Sequence, residues 1–309
     1  MKSVWITGAQ GFIGRHLSKH LEQLGVRVYG IGHGACPNEV AIRQGLQYWL
    51  NGDLEPSNFQ LLLAHSGVPD AIFHLAGGSS VGISFQTPAE DFRRSVVSTS
   101  SLLEWVRVNA PECKIVVSSS AAVYGNSESK TLEEYSPFCP YSPYGFHKRA
   151  AELICESYAK SFGMKFAIVR LFSVFGPGLR KQLLWDASCR LLPRPKLLSM
   201  HGTGEEVRDW LHVVDAVKIL VEAANRATNI PTIVNGGTGL GTNVHDVLLL
   251  LCQSMGLATE IEFSGQKRDG DPKSLVADVT ELKKWNIRLE GDLAQGLAEY
   301  AHWFTHLRQ

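Results

Sequence analysis

The sequence predicts an α/β fold, a doubly wound parallel sheet followed by a smaller C-terminal region. Three observations lead there. Short β-rich runs alternate with helical periodicity through the first half, a glycine-rich turn joins the first run to the first helix, and the alternation breaks after about residue 176.

Residues 3–7 (Ser-Val-Trp-Ile-Thr) are β-branched and aromatic, and read as a strand. Residues 12–24 carry an amphipathic helical pattern, and 26–31, 46–50 and 71–75 read as further strands. Across 88–109 the period is helical, with Leu102, Leu103 and Val106 on one face. A strand at 114–118, a helix at 144–162 and a strand at 166–171 continue the alternation. Beyond Gly176, Pro177, Pro193, Pro195 and the loop Gly202-Thr203-Gly204 interrupt it, and helices return at 213–226, 244–256 and 293–304. A boundary after 175 separates the sheet domain, 1–175, from a smaller region, 176–309, part of whose chain is free to return to the sheet.

The 309 residues, 44% hydrophobic and 19% charged, have the composition of an ordinary globular protein. Thirty basic residues balance thirty acidic ones, so no global field draws polyanions and nucleic acid is not an expected partner. An anionic small molecule must be held by local arginines and backbone amides. Cys36, Cys113, Cys139, Cys155, Cys189 and Cys252 form no C-x-x-C pair and no Cys/His metal spacing, which points to a reducing compartment and no metal. The opening residues are too short for a signal-peptide core and no apolar run approaches membrane-spanning length. A cytoplasmic location without a membrane partner is expected.

Thr7-Gly8-Ala9-Gln10-Gly11-Phe12-Ile13-Gly14 lies between the first strand and the first helix. Glycines at 8, 11 and 14 permit a tight turn, close approach of backbone to a pyrophosphate, and close helix–strand packing. The amides at Phe12 and Ile13 and the helix dipole would then face the anion. In this strand–helix context the pattern is a dinucleotide-binding fingerprint, and the expected sheet is of the Rossmann type. An acid about 20 residues past the first glycine normally binds the ribose hydroxyls of NAD. Here the second strand ends in Gly30-Ile31-Gly32-His33-Gly34, which leaves room for a 2′-phosphate that His33 could bond, with Arg15 or Arg43 in reach. NADP(H) is therefore the preferred cofactor on sequence, with NAD(H) possible. Asp53, followed by Leu54, is placed to accept from the adenine amino group.

Tyr144 and Lys148 stand at i and i+4 on one helix face. An ammonium there, aided by the nicotinamide's positive charge, would favour the phenolate, letting the phenol exchange a proton with a sugar hydroxyl near neutral pH. The preceding strand ends in Ser118-Ser119-Ser120, and a hydroxyl from Ser120 could share the reacting oxygen with Tyr144. Ser118 and Ser119 are expected to satisfy backbone groups.

These motifs continue in order: His74-Leu75-Ala76-Gly77, Ser118 through Gly125, Ser142-Pro143-Tyr144-Gly145-x-x-Lys148, Arg170 through Pro177, Arg208-Asp209-Trp210-Leu211-His212-Val213 and Arg268-Asp269-Gly270-Asp271. Over nearly the whole chain the sequence resembles the NAD-dependent epimerase/dehydratase family of nucleotide-sugar enzymes, the extended short-chain dehydrogenases. The resemblance implies that Ser120, Tyr144 and Lys148 are catalytic and that Leu75, Ala76 and Gly77 line the cofactor. It implies that Arg208 binds a substrate diphosphate, that Arg268 and Asp271 lie near the nucleotide, and that the enzyme is a homodimer. Ser173 and Ser95 stand where family members often have Asn, so a substrate contact at Ser173 and a structural hydrogen bond at Ser95 are expected to differ. Arg180, in the segment just after, is a further candidate for nucleotide contact.

Family dehydratases carry an Asp-Glu pair just before the Val-Tyr-Gly; here Ala121 and Ala122 can move no proton. What survives is hydride chemistry at one carbon. The missing acid after the second strand favours a reductase that uses NADPH on the 4-keto group of a 4-keto-6-deoxy sugar nucleotide, similar to enzymes of dTDP-fucose type that supply polysaccharide precursors. The alternative is an NAD-dependent 4-epimerase of UDP-hexose type. A sensor or scaffold that binds dinucleotide without turnover would typically lose Tyr144 or Lys148, and both are present.

Overall fold

Every residue of Ser3–Thr7 (β1) is buried, and its position explains why. In the computed structural model, which describes residues 1–34, 36–126, 131–266 and 272–307, β1 lies inside a seven-stranded sheet. Its neighbours are Arg27–Gly32 (β2), Tyr48–Asn51 (β3), Ala71–His74 (β4), Lys114–Ser120 (β5), Lys165–Leu171 (β6) and the strand Thr232–Gly236. The order across the sheet is Thr232–Gly236, β6, β5, β4, β1, β2, β3. Registry from β1 to β5 is parallel, with Thr7 level with Ile31 on one side and His74 on the other. Strands covered on both faces read as nearly continuous apolar runs, as β1, β4 and β5 do. Strand order reverses beside β1, the switch point at which open α/β sheets bind ligands.

The helix Phe12–Gln23 turns Gly14, Leu17, Ser18 and Leu21 inward, an i, i+3, i+4, i+7 face. Under the opposite side of the sheet, Trp5, Phe59, Leu62, Trp105 and Phe166 share one core. Trp5 and Trp105 lie 5.1 Å apart between ring centroids, and Trp105 meets Phe59 at 5.6 Å. The stretch expected to be one helix over 88–109 is three segments: Pro88–Phe92, a π-helical Arg93–Val97 and Ser98–Asn109. Such wide turns often mark functional sites.

The chain divides into two compact units, Met1–Val123, Ser142–Arg170 and Val217–Val234 in the first, and Tyr124–Tyr141, Leu171–Ala216 and Asn235–Gln309 in the second. It passes between them several times, where the sequence reading drew one boundary after 175. In the second unit Val207–His212 pairs with Ser173–Phe175, Gly241–Asn243 and Ser274–Leu275, and Leu197–Met200 pairs with Glu260–Phe263. The carboxylate of buried Asp209 accepts from the amides of Thr238, Gly239 and Ala277, which ties three segments of that unit together.

Arg170 on β6 and Glu152 on the helix Pro143–Phe162 are fully buried and paired through two hydrogen bonds of 2.9 Å. Removing one partner of such a pair strands a desolvated charge. Glu152→Ala is expected to lower unfolding free energy by about 3–5 kcal/mol, read from urea denaturation; a loss within error would show that the pair is dispensable.

Candidate active site

The turn after β1 is tight. Gly8 has φ +71°, and a Cβ on it would lie 3.0 Å from the Ala76 nitrogen. A Cβ on Gly14 would lie 2.4 Å from the Gly8 carbonyl oxygen. Gly8 N–H donates to the Ile31 carbonyl at 2.7 Å, and Gly11 N–H to the Gly8 carbonyl at 2.9 Å. Gly11 is the N-cap of the helix and caps nothing with a side chain, so the first-turn amides at Phe12 and Ile13 are not satisfied by one. A backbone this close, opening onto a helix N-terminus, suits a pyrophosphate.

Beside it, β4 ends in the buried His74. Thr7 Oγ1 lies 2.8 Å from His74 Nδ1, and Thr99 Oγ1 lies 2.9 Å from His74 Nε2. The chain of donors has one self-consistent direction. Thr99 donates to the Ser95 carbonyl at 2.6 Å, so its oxygen accepts from Nε2–H. Nδ1 then accepts from the Thr7 hydroxyl, whose oxygen takes the Ala76 N–H at 3.1 Å. Ser95 Oγ accepts from Gly78 N–H at 2.9 Å. The turn Leu75-Ala76-Gly77 is thus fixed at both ends. Burial, and secondarily the nearby Lys148, hold the His74 imidazole down at about 3, which keeps it neutral.

Ser142 caps the helix Pro143–Phe162 by accepting from Gly145 N–H. This helix brings Tyr144 and Lys148 to the end of β5. The Ser120 hydroxyl lies by the Tyr144 phenol and draws its pKa down, and Lys148 Nζ donates to the Ser118 carbonyl at 3.0 Å. Lys148 Nζ also stands 5.8 Å from the Tyr144 ring centroid and 3.4 Å from where a Cβ on Gly77 would lie. The residues expected to act together, Ser120, Tyr144, Lys148 and Gly77, are therefore neighbours. Burial pushes the phenol's pKa up, Ser120 draws it down, and Asp91 pushes it up further. Within the chain itself, desolvation is the largest of these influences on Tyr144.

Ser118 Oγ donates to the His74 carbonyl at 3.3 Å, as expected of a backbone-satisfying serine. Ser119 does not follow: its hydroxyl is buried with no partner among the described residues. Sequence reasoning also missed Asp91, a buried carboxylate 2.6 Å from His147 Nδ1, one helical position before Lys148. Asp91 sits where a Cβ on Gly78 would meet it at 1.8 Å. An acid three residues after Pro88 and a histidine beside the Tyr/Lys pair were visible, but nothing in the sequence links them.

At the other end of the turn the missing acid is supplied from elsewhere. His33 Nε2 lies 3.0 Å from Asp53 Oδ1. The space read as open to a 2′-phosphate therefore has a carboxylate beside it, and His33 is engaged by that carboxylate. The Arg93 hydrogen bond foremost, with His33, holds the Asp53 pKa below the usual range. Leu54 packs against the core.

The expected substrate residues Ser173, Arg180 and Arg208 belong to the second unit. Ser173 pairs with Trp210, two residues along the strand from Arg208. Arg208 Nη1 donates to the carbonyls of Val207 and Pro272, both at 2.9 Å. Arg180 is exposed, its guanidinium 5.8 Å over the Trp303 ring. Arg268 and Asp271 lie outside the described residues. Among the described residues no group of three or more His, Cys, Asp or Glu is placed to hold a metal ion, and no helix is long and apolar enough to cross a membrane.

Comparison with known proteins settles the family. The sequence profile of the NAD dependent epimerase/dehydratase family matches residues 4–237. The chain belongs to that family. It is 26% identical over 308 residues to a putative UDP-glucose 4-epimerase of Methanocaldococcus jannaschii, covering 98% of each chain. It is 28% identical over 330 aligned positions to the UDP-glucose 4-epimerase of Azospirillum brasilense, covering 99% of this chain and 93% of the relative. Among solved structures, MoeE5 in complex with UDP-glucuronic acid and NAD superposes with a TM-score of 0.87 at 29% identity, over 99% of each chain.

Within this epimerase/dehydratase chain Ser95, in place of the common Asn, still receives an amide, that of Gly78. Ala121 and Ala122 are buried and offer no proton donor.

The buried imidazole makes stability depend on pH. An unfolded His74 takes up a proton near its ordinary 6.5, whereas the folded one does so only at about 3. Its folded pKa is depressed, so its contribution is whole above 6.5 and is lost as pH falls from 6.5 toward 3. Stability measured by urea denaturation should fall more steeply through that window in the wild type than in His74→Gln; equal slopes would show that His74 protonates freely when folded.

Proposed function

We propose that the chain is an NAD-dependent nucleotide-sugar 4-epimerase acting on a UDP-hexose. The observation that carries this is the gathering of Ser120 and Lys148 about the Tyr144 phenol, with alanines at 121 and 122. Tyr144 is a proton-exchanging group for one sugar hydroxyl, and Ala121 and Ala122 offer no second acid or base there.

Bound in the glycine turn, NAD would supply the hydride acceptor. The chain's own residues do the rest. The Ser120 hydroxyl and the Tyr144 phenolate oxygen hold the sugar's C4 hydroxyl between them. Tyr144 takes the proton from that hydroxyl as the carbon is oxidised and returns it when the opposite face is reduced. Because burial raises the phenol's pKa, proton removal depends on positive charge beside it, which Lys148 contributes. Arg208, held by two main-chain carbonyls, is proposed to clamp the diphosphate, with Ser173 on the adjoining strand.

NAD rather than NADP is the proposed cofactor. The reductase reading rested on an open 2′-phosphate position, and Asp53 beside His33 removes that support. The relatives named as 4-epimerases favour the same choice. A homodimer through 88–109 and 144–162 is proposed as well: Val97, Val108, Phe146, Leu153 and Phe162 are exposed along those helices.

Purified protein should interconvert UDP-glucose and UDP-galactose with no net change in reduced-nicotinamide absorbance. Tyr144→Phe should lower kcat by about 10²–10⁴-fold, the range for a positioned acid or base, with little change in NAD affinity. Stoichiometric consumption of NADPH on a 4-keto-6-deoxy sugar nucleotide, without interconversion of the hexoses, would overturn the reading in favour of a reductase.

A further inference from the structure

Arg93 was not singled out by any motif, yet it links three separate loops of the first unit. It lies in the π-helical segment of the β4–β5 crossover, whereas His33 follows β2 and Asp53 follows β3. In the sheet, β1 and β2 lie between β4 and β3. The contacts from Arg93 to Asp53 therefore run across the carboxyl ends of β1 and β2, where the Gly8–Gly14 turn begins.

The geometry is that of an oriented arm. Glu90 accepts from Arg93 Nε at 2.9 Å and from Arg93 Nη2 at 3.0 Å, a two-pronged pairing that fixes the guanidinium plane. The remaining nitrogen, Nη1, reaches Asp53 Oδ1 at 3.3 Å. His33 Nε2 meets the same oxygen at 3.0 Å. The Asn58 side chain donates to the Asp53 carbonyl at 2.9 Å, which anchors the loop's backbone. Oδ1 thus takes both the guanidinium and the imidazole, and Oδ2 has no partner among the described residues. Exposed ion pairs taken singly contribute little. A carboxylate held by one oxygen from two directions, however, presents its other oxygen in a fixed place, which is the useful property at a binding site.

We infer that Arg93 is a positioning residue of the dinucleotide site: with His33 it holds Asp53 by Oδ1, leaving Oδ2 to accept a hydrogen bond from the adenosine half of the cofactor. Glu90 sets the arm's orientation. This rests on the dinucleotide reading above and adds to it a residue from a crossover that no glycine or acid pattern marks. The depressed pKa of Asp53 agrees, because it keeps the acceptor ionised.

The test uses full-length protein stripped of retained nucleotide, with calorimetric titration of NAD, ADP-ribose and nicotinamide mononucleotide. Arg93→Gln should weaken NAD and ADP-ribose by about tenfold, equivalent to about 1.4 kcal/mol, and leave the mononucleotide unchanged. Arg94→Gln, which removes a contact to Glu90 only, should bind all three as the wild type does, and both variants should melt with the wild type. Unchanged ADP-ribose affinity in Arg93→Gln would overturn the inference, as would an equal loss for all three ligands with a lowered melting temperature, the mark of a general brace. A wild type that binds neither NAD nor ADP-ribose would remove the dinucleotide reading itself, and this inference with it.

Discussion

The contact of Thr7 with His74, 2.8 Å from hydroxyl to ring nitrogen at the level ends of β1 and β4, is the constraint on which the rest of the site depends. The turn after β1 can approach the turn after β4 only because Gly8 has no side chain; a Cβ there would stand 3.0 Å from the Ala76 nitrogen. That closeness lets one threonine serve both an imidazole and an amide. The imidazole passes the constraint to Thr99 and, through it, to the π-helical segment that carries Ser95. Since the ring is buried and neutral, the chain of donors runs one way and cannot reverse without leaving a buried group unpaired.

From that frame the chemistry follows by position. β5 pairs with β4 and delivers Ser120, while the helix Pro143–Phe162 is fastened to Ser118 through Lys148 and to Ser84 through the Tyr144 amide. On the proposed reading, the sugar's reacting oxygen needs only the Ser120–Tyr144 pair, and Ala121 and Ala122 exclude chemistry at neighbouring carbons. Arg93, Asp53 and His33 act at the far end of the same turn, so both halves of a dinucleotide would be held by residues outside the glycine motif.

Much of this was legible in the sequence because it is local. β1 was read at its observed bounds, and Tyr144 and Lys148 meet because i, i+4 spacing on a helix requires it. What escaped depends on contacts between distant segments. Thr7 with His74, Asp91 with His147, and Arg93 with Asp53 are 67, 56 and 40 residues apart, and no periodicity encodes such pairings. The same limit bears on the cofactor reading. The loop after β2 lacks an acid, but the neighbouring strand brings one to it. The short strand Thr232–Gly236 was also missed, since its fragment of β pattern takes meaning only from the edge it joins. Burial too is tertiary: the desolvation that raises the Tyr144 phenol's pKa comes from segments packed around it, which no local pattern encodes.

The central claim is that one hydride leaves the sugar's C4 and returns to the same carbon without mixing with an outside pool. The most direct measurement supplies UDP-glucose deuterated at C4 together with excess unlabelled NADH and follows the label by proton NMR and mass spectrometry. The account predicts UDP-galactose that keeps the deuterium at C4. Product carrying protium at C4, with deuterium recovered in free reduced cofactor, would contradict it.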